Sequence, residues 1–217
     1  MNKEDKNRQS ILFKKFQKNL KHEKTFSLAI EELLEFRKEI ENMYDYLINN
    51  LLADDYTKRP IKRLKTIAYY IYHLNRIEDI TLNTLILNEP QIFYQKNYQL
   101  LINSKISTTG NELKENELID FSKNLNIDKL ILYAKEVFCK TNKYLKQITY
   151  TESKIKVKPL YRENLLRLKS VSSDENAIWL IDYWCKKDQQ GLILMPFTRH
   201  QFMHLWNCMS ILERLNR

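Results

Sequence analysis

The chain has 217 residues, of which 43% are hydrophobic, 2 are glycine and 4 are proline. This composition excludes collagenous and Gly/Pro-rich low-complexity chains, argues against an all-β sandwich or barrel, and leaves too few glycines for a Rossmann or P-loop phosphate site. The net charge of +9 permits an acidic partner, but a solvated lysine-rich surface is the favoured interpretation, because net charge informs solubility more than fold.

The first half of the sequence contains two long helical patterns. Residues 1–24 are polar and lysine-rich, and we interpret them as a polar N-terminal extension or a short amphipathic helix. From residue 25 to about residue 50, apolar residues recur at intervals of three and four, which predicts a long helix. A second helix is predicted from about residue 60, with Pro60 in its first turn, to about residue 88. This second helix is apolar around most of its circumference, so we expect it to lie at the centre of the fold.

The second half has shorter patterns and two candidate capping boxes. Helices are predicted at about 115–123 and 127–148, followed by an irregular crossover over 149–171. The spacing of Ser172 and Glu175 predicts the start of a helix that continues to about 188, and Gly191 fits a turn or a C-terminal cap.

The C-terminal helix completes the predicted architecture. The spacing of Thr198 and Gln201 predicts that it begins there, and its pattern continues to about 215. Four long helices with additional short ones predict an all-α chain, most simply a four-helix bundle with long crossovers, in one domain spanning residues 1–217.

Three of the four histidines form the main candidate site. His200 and His204 are four residues apart, so both imidazoles project from one helix face. His73 lies in the helix predicted to be most buried, where its nitrogens need partners. Together they could hold one divalent ion with a coordination position left open, as in catalytic metal sites. The alternative is that each is simply a hydrogen-bonded core residue.

Two segments resemble a known family at this point. Residues 66–79 (TIAYYIYHLNRIED) resemble the second helix of DinB-like proteins, which include the YfiT-type metal-binding bundles. Residues 195–205 (MPFTRHQFMHL) resemble the final-helix motif of that family, in which two histidines four residues apart follow a Pro-x-Thr-Arg sequence. The similarity covers roughly residues 60–217 and is most specific at its two ends.

The resemblance implies both a fold and a site. It implies an up-down-down-up four-helix bundle and a divalent metal ion, typically nickel or zinc, held by His73, His200 and His204. Characterised relatives include thiol-dependent transferases and isomerases that use low-molecular-weight thiols, as well as metal-dependent hydrolases. A small-molecule substrate or thiol is therefore expected.

Three further residues are expected in the wall of the site. Tyr70 occupies a position where one subgroup of the family often has another histidine, and it is interpreted as a proton donor or as a packed core tyrosine. Arg76 would bind a substrate carboxylate or pair with a carboxylate on another helix. Cys208 would be a fourth ligand or, more simply, a core residue.

Four other residues, three of them tryptophans, bear on the expected site. Trp206 and Asn207 follow His204 where smaller or more acidic residues are usual in the family. Trp179 and Trp184 are interpreted as core residues.

Three function hypotheses remain open. The first is a metal-binding DinB-like protein, possessing transferase or hydrolase activity if it is an enzyme. The second is a catalytically silent helical interaction module, and a homodimer is expected. The third, a nucleic-acid-binding protein, is favoured only by charge, so any binding to nucleic acid should be independent of sequence and sensitive to salt.

The cysteines and the apolar runs indicate the compartment. The three cysteines are widely spaced and form no CxxC pair, which predicts a cytoplasmic protein without disulfides. No apolar run approaches the ~20 residues that span a bilayer, so no membrane association is expected.

Overall fold

The computed structural model describes residues 3–216, which form helices and no β-strand; a single antiparallel bridge joins Lys156 to Asp188. The all-α prediction is confirmed for this part of the chain. The α-helices are α1 Lys3–Asn19, α2 Phe26–Asn50, α3 Ile67–Asp79, α4 Ile92–Gln95, α5 Tyr98–Leu101, α6 Glu115–Asn124, α7 Ile127–Leu145, α8 Tyr150–Ser153, α9 Pro159–Arg167, α10 Glu175–Cys185, α11 Gln189–Leu194 and α12 His200–Leu215.

The polar N-terminal segment forms helix α1, which packs along α2. Phe16 of α1 is fully buried against Phe36 of α2, with ring centroids 5.5 Å apart. The indole Nε1 of Trp206 on α12 donates to Gln9 Oε1 at 3.1 Å. The segment is therefore part of the packed helical structure, and its polar residues cover the outer face.

Helix α3 starts later than its sequence pattern predicts. The prediction that Pro60 occupies its first turn is wrong: Pro60 lies in the preceding loop, and Thr66 caps the helix by accepting a hydrogen bond from Tyr69 N at 3.1 Å. The helix continues as a π-helix over Ile80–Leu87 and ends at Asn88, whose φ of 56° is left-handed. Every residue of α3 is buried, which confirms the prediction that this helix is central.

Four helices enclose the core of the molecule. Helix α3 contacts α7 and α12, and α2 contacts the same two helices, so the contacts form a closed ring. The predicted bounds of α2 and α6 are confirmed, as is the start of α7, where Asn126 Oδ1 accepts from Lys129 N at 3.1 Å. Two of these helices, α3 and α12, carry the three histidines of the site described below.

The crossover region is more ordered than the sequence pattern predicts. Helices α8 and α9 occupy much of the segment 149–171, with Pro159 at the first position of α9. The prediction that Ser172 caps α10 is wrong, because Asp174 caps it instead, accepting from Asn176 N at 2.8 Å. Gly191 lies inside α11 and is neither a turn nor a C-terminal cap.

The start of α12 also departs from prediction. A π-helical turn over Met195–Arg199 leads directly into α12, so no capping box is needed there. Thr198 Oγ1 donates to Ile193 O at 2.9 Å, and Gln201 Nε2 donates to Glu78 Oε2 at 2.8 Å. Both side chains are therefore engaged elsewhere. Across residues 3–216, none of the helices combines the length and apolar character that would let it cross a bilayer.

Candidate metal centre

The three predicted histidines converge between α3 and α12. His73 comes from α3, and His200 and His204 lie one turn apart on α12. One potential ligand atom from each residue lies within 4.8 Å of the other two. The Nε2 atoms of His73 and His200 are 3.2 Å apart. The three side chains are therefore positioned to bind one metal ion.

The orientation of His73 is fixed by the loop between α5 and α6. Its Nδ1 lies 2.8 Å from the carbonyl oxygen of Thr109. A carbonyl only accepts hydrogen bonds, so Nδ1 carries the hydrogen and Nε2 has a free lone pair. Metal-binding histidines typically have their second nitrogen held in this way. The loop therefore directs the lone pair of His73 towards His200.

All three imidazoles are neutral at neutral pH. Burial, with repulsion from His204, lowers the pKa of His73 to about 3. Burial also lowers the pKa of His204 to about 4 and that of His200 well below its ordinary value. A neutral imidazole is the form that binds metal, so these ligands need lose no proton at neutral pH.

His200 shows most directly that the residues fit a metal ion. Its Nδ1 is buried without a hydrogen-bond partner, and its Nε2 faces only an imidazole nitrogen of His73. Buried polar atoms without partners are costly, and they are rare in folded proteins. A cation bound at Nε2 would give one of these nitrogens a strong partner.

Aromatic rings hold two of the histidines in place. Tyr69 stacks on His73 with ring centroids 5.3 Å apart and an interplanar angle of 11°. Tyr70 stacks on His204 with centroids 5.0 Å apart. Asn207 Nδ2 lies 3.4 Å from both the Tyr70 hydroxyl and His204 Nδ1. These contacts restrict the rotation of both imidazoles.

The histidines line a cavity of about 440 Å³. Two basic side chains, Arg63 and Lys65, lie in its lining, and no aspartate or glutamate does. The other polar lining residue is Asn111. Its aromatic lining consists of Tyr69, Tyr70, Trp179, Tyr183 and Trp184. The cavity is therefore largely aromatic and positively charged.

Of the three residues expected in the wall of the site, one lines the cavity and two do not. Tyr70 lines the cavity, whereas Arg76 and Cys208 do not. Arg76 is buried and pairs at 3.3 Å with Asp79 of its own helix, where a carboxylate of another helix was the expected alternative. It donates to the Ser107 carbonyl at 2.6 Å and so supports the loop that carries Thr109.

Cys208 is fully buried among core residues, and burial raises the pKa of its thiol well above the ordinary range. A protonated thiol is a poor metal ligand. The group of converging donors among residues 3–216 contains the three histidines alone.

Several contributing residues were missed by sequence reasoning. Trp179 was expected in the core but is 51% exposed and lines the cavity. The sequence pattern that indicates this position is the i, i+4 spacing of Trp179 with Tyr183 and of Leu180 with Trp184. This spacing gives α10 two adjoining apolar faces. Arg63 and Lys65 belong to a cluster of basic residues over 58–65, a pattern that is typical of a solvated surface. The carbonyl of Thr109 has no signal in the sequence.

A buried ion pair lies behind the site. Arg37 of α2 and Glu78 of α3 are both fully buried, and Arg37 Nη2 lies 2.7 Å from Glu78 Oε1. Arg37 Nη1 donates to the Phe197 carbonyl in the π-turn before α12 at 2.6 Å. Glu78 also accepts from Gln201, the neighbour of His200. The start of α12 is thus tied to α2 and α3.

No protein-family model matches this chain, and no curated protein matches it either. Function is therefore inferred from the residues of the site.

Proposed function

We propose that the protein is a DinB-like metal-binding protein in which His73, His200 and His204 hold a divalent ion, zinc or nickel. The observation that carries the proposal is the convergence of three neutral imidazoles within 4.8 Å at the floor of a cavity. Three protein nitrogens leave room for another ligand, as in catalytic zinc sites. The ion, when bound, supplies Lewis acidity that lowers the pKa of a coordinated thiol or water.

The proposal includes a four-helix bundle of up-down-down-up topology formed by α2, α3, α7 and α12. The closed ring of contacts among these four helices supports it. It also includes a cytoplasmic location, which is supported by three free cysteines.

The chain's own residues would bind and orient a small molecule for transfer or hydrolysis. The Thr109 carbonyl and the Tyr69 ring hold His73, while Tyr70 holds His204. The aromatic lining gives a small molecule an apolar surface beside the histidines. Since no carboxylate lines the cavity, a proton released there would pass to the substrate or to solvent.

Metal analysis of protein purified without a histidine tag tests the proposal. We expect close to one zinc or nickel ion per chain after loading, and loss of that ion in His204→Ala. His22→Ala is the matched control, because His22 is exposed and remote from the site in the sequence. Circular dichroism of each variant establishes that it is folded.

Two results would contradict the proposal. The first is a folded wild-type protein that takes up none of nickel, zinc, manganese or iron at neutral pH. The second is equal metal content in the His204→Ala and His22→Ala variants. Either result would favour a catalytically silent interaction module.

A further inference from the structure

The cavity beside the three histidines carries positive charge that the protein does not neutralise. Arg63 and Lys65 both line it, and neither forms an ion pair with any carboxylate among residues 3–216. Nearby Glu115 is taken by Arg59, at 3.3 Å. Two cations that form no ion pair at one cavity favour a ligand of negative charge.

Lys65 lies beside an aromatic ring that contacts one of the histidines. It is partly buried, and its Nζ lies 5.7 Å from the centroid of the Tyr69 ring, which itself stacks on His73. Burial and the neighbouring Arg59 lower the pKa of Lys65. A partly desolvated ammonium group forms a stronger bond with an anion than one in bulk water.

Another part of the lining offers a flat apolar surface. Trp179 is 51% exposed, and its Nε1 is held by the Asn176 carbonyl at 3.0 Å, so the indole has a fixed orientation. Tyr183 meets it edge to face, with centroids 5.6 Å apart. An exposed tryptophan fixed at the edge of a cavity is suited to stacking on a planar ligand.

We propose that the substrate of this site is a small aromatic anion, whose charged group binds Lys65 and Arg63 while its ring lies against Trp179 and Tyr183. The inference deepens the proposed function and rests on it, since three neutral ligands leave the full charge of the metal ion in the same cavity. The volume of about 440 Å³ lies within the range of small-molecule sites.

Calorimetric titration of the full chain with a matched pair of probes tests the inference. The probes are 2-naphthoate and 2-naphthamide, which share a ring system and differ in charge. Zinc affinity is measured first, without a probe, and both probes are then titrated into the zinc-loaded and the chelator-treated protein. We expect the zinc-loaded protein to bind the carboxylate at least about tenfold more tightly than the amide.

Two variants separate the contribution of Lys65 from that of the metal. Lys65→Met should reduce the preference for the carboxylate by about tenfold, because it removes a charged partner. Lys62→Met is the matched control: Lys62 is exposed and lies outside the cavity lining, so the preference should change less than about twofold. Trp179→Ala should weaken both probes equally, because it removes the stacking surface and leaves the charges unchanged.

The possible failures are distinguishable. A protein that binds zinc but shows equal affinity for both probes overturns the inference and leaves the metal centre standing. A preference for the carboxylate that survives in Lys65→Met and in Lys65→Met/Arg63→Gln also overturns it, because the metal alone would then bind the anion. A protein that fails the zinc titration overturns the proposed function before any probe is added.

Discussion

The Nε2 atoms of His73 and His200 lie 3.2 Å apart, although the two residues are 127 positions apart in the sequence. Because His73 donates through Nδ1 to the Thr109 carbonyl, its Nε2 has no hydrogen, so any hydrogen in this contact belongs to His200. Two bare lone pairs would repel at this distance. A hydrogen on His200 Nε2 and a metal ion therefore compete for the position between the two Nε2 atoms.

The first prediction concerns the stability of the metal-free protein at acid pH. The folded-state pKa values of His73 and His204, about 3 and about 4, lie below the ordinary value of 6.5. The unfolded chain therefore binds more protons in this range, and stability falls as the pH drops from about 6.5 towards 4. Between pH 7 and 5.5 we expect a loss of about 1 kcal/mol for each buried histidine.

Urea unfolding in the presence of a chelator measures this loss. His204→Gln should reduce the slope of stability against pH, because glutamine does not titrate. A free energy of unfolding that stays constant from pH 7 to pH 5 would contradict neutral burial of the histidines.

The second prediction concerns Gly110, which follows Thr109 with a φ of +79°. An alanine Cβ there would lie 3.2 Å from Tyr69 Cε2 in a backbone conformation that side chains disfavour. Gly110→Ala should cost about 1 kcal/mol of stability. It should also weaken zinc binding about tenfold, because it displaces both the carbonyl and the ring that hold His73.

Gly191→Ala is the control for this prediction. Gly191 lies in α11, where a new Cβ would also be crowded, 3.0 Å from Lys187 Cβ, but neither residue lines the cavity. Zinc affinity should therefore be unchanged. Equal zinc affinity in the two alanine variants would show that the loop does not position His73.

The third prediction concerns Asn207. Its amide nitrogen lies 3.4 Å from His204 Nδ1, an arrangement that leaves the hydrogen of His204 on Nε2. Metal binding through Nε2 requires the hydrogen on Nδ1. Asn207→Asp supplies an acceptor for that hydrogen and should raise zinc affinity about tenfold.

Ser210→Asp provides the comparison, because it places the same charge at an exposed position of α12. Competition with a zinc indicator measures both variants. Equal gains in affinity would show that net charge, and not the hydrogen bond to His204, is responsible.

The fourth prediction concerns the buried pair of Arg37 and Glu78. Arg37→Met leaves a carboxylate buried without its cation and should lower the free energy of unfolding by about 3–5 kcal/mol. Arg8→Met removes an arginine whose side chain is 63% exposed and pairs with Glu39. It should cost less than about 1 kcal/mol. Chemical denaturation measures the free energy of unfolding of both variants. Equal decreases in the two would contradict the prediction.

The sequence predicts the helices best where the apolar pattern is regular. The bounds of α2 and the burial of α3 follow from periodicity alone, because a helix that is apolar on several faces can only be an interior one. The capping box at Ser172 fails because Asp174, which is nearer to the helix, caps α10 instead, and the one at Thr198 fails because its hydroxyl group bonds elsewhere. Thr198 bonds to Ile193 across a π-turn, a backbone form with no clear pattern in the sequence.

The candidate site, too, is predictable from the sequence only in part. His200 and His204 are joined by helical spacing, but only the resemblance to DinB-like proteins paired them with His73. Arg76 could not be placed from sequence, because its partners include the carbonyl of Ser107, which any residue type would supply. Trp179 lies off the face of α10 that buries Ala177, Leu180, Ile181 and Trp184, and an apolar residue type alone does not show that it is exposed.

Arg37 has a consequence for the register of the helices. It bonds to Glu78 on α3, to Asn142 on α7 and to the Phe197 carbonyl before α12, so one guanidinium joins α2 to α3, to α7 and to the turn before α12. Apolar contacts alone would let a helix slide by one turn, about 5.4 Å, which exceeds the 4.8 Å within which the three ligand atoms lie.

We therefore expect Arg37→Met/Glu78→Leu to recover part of the stability lost in Arg37→Met without recovering zinc affinity. Full zinc affinity in that double variant would contradict this view. If zinc affinity is not recovered, directional bonds at Arg37 decide whether the helices align in a single way. The ability to bind an ion then depends on a residue that bonds to none of the three histidines.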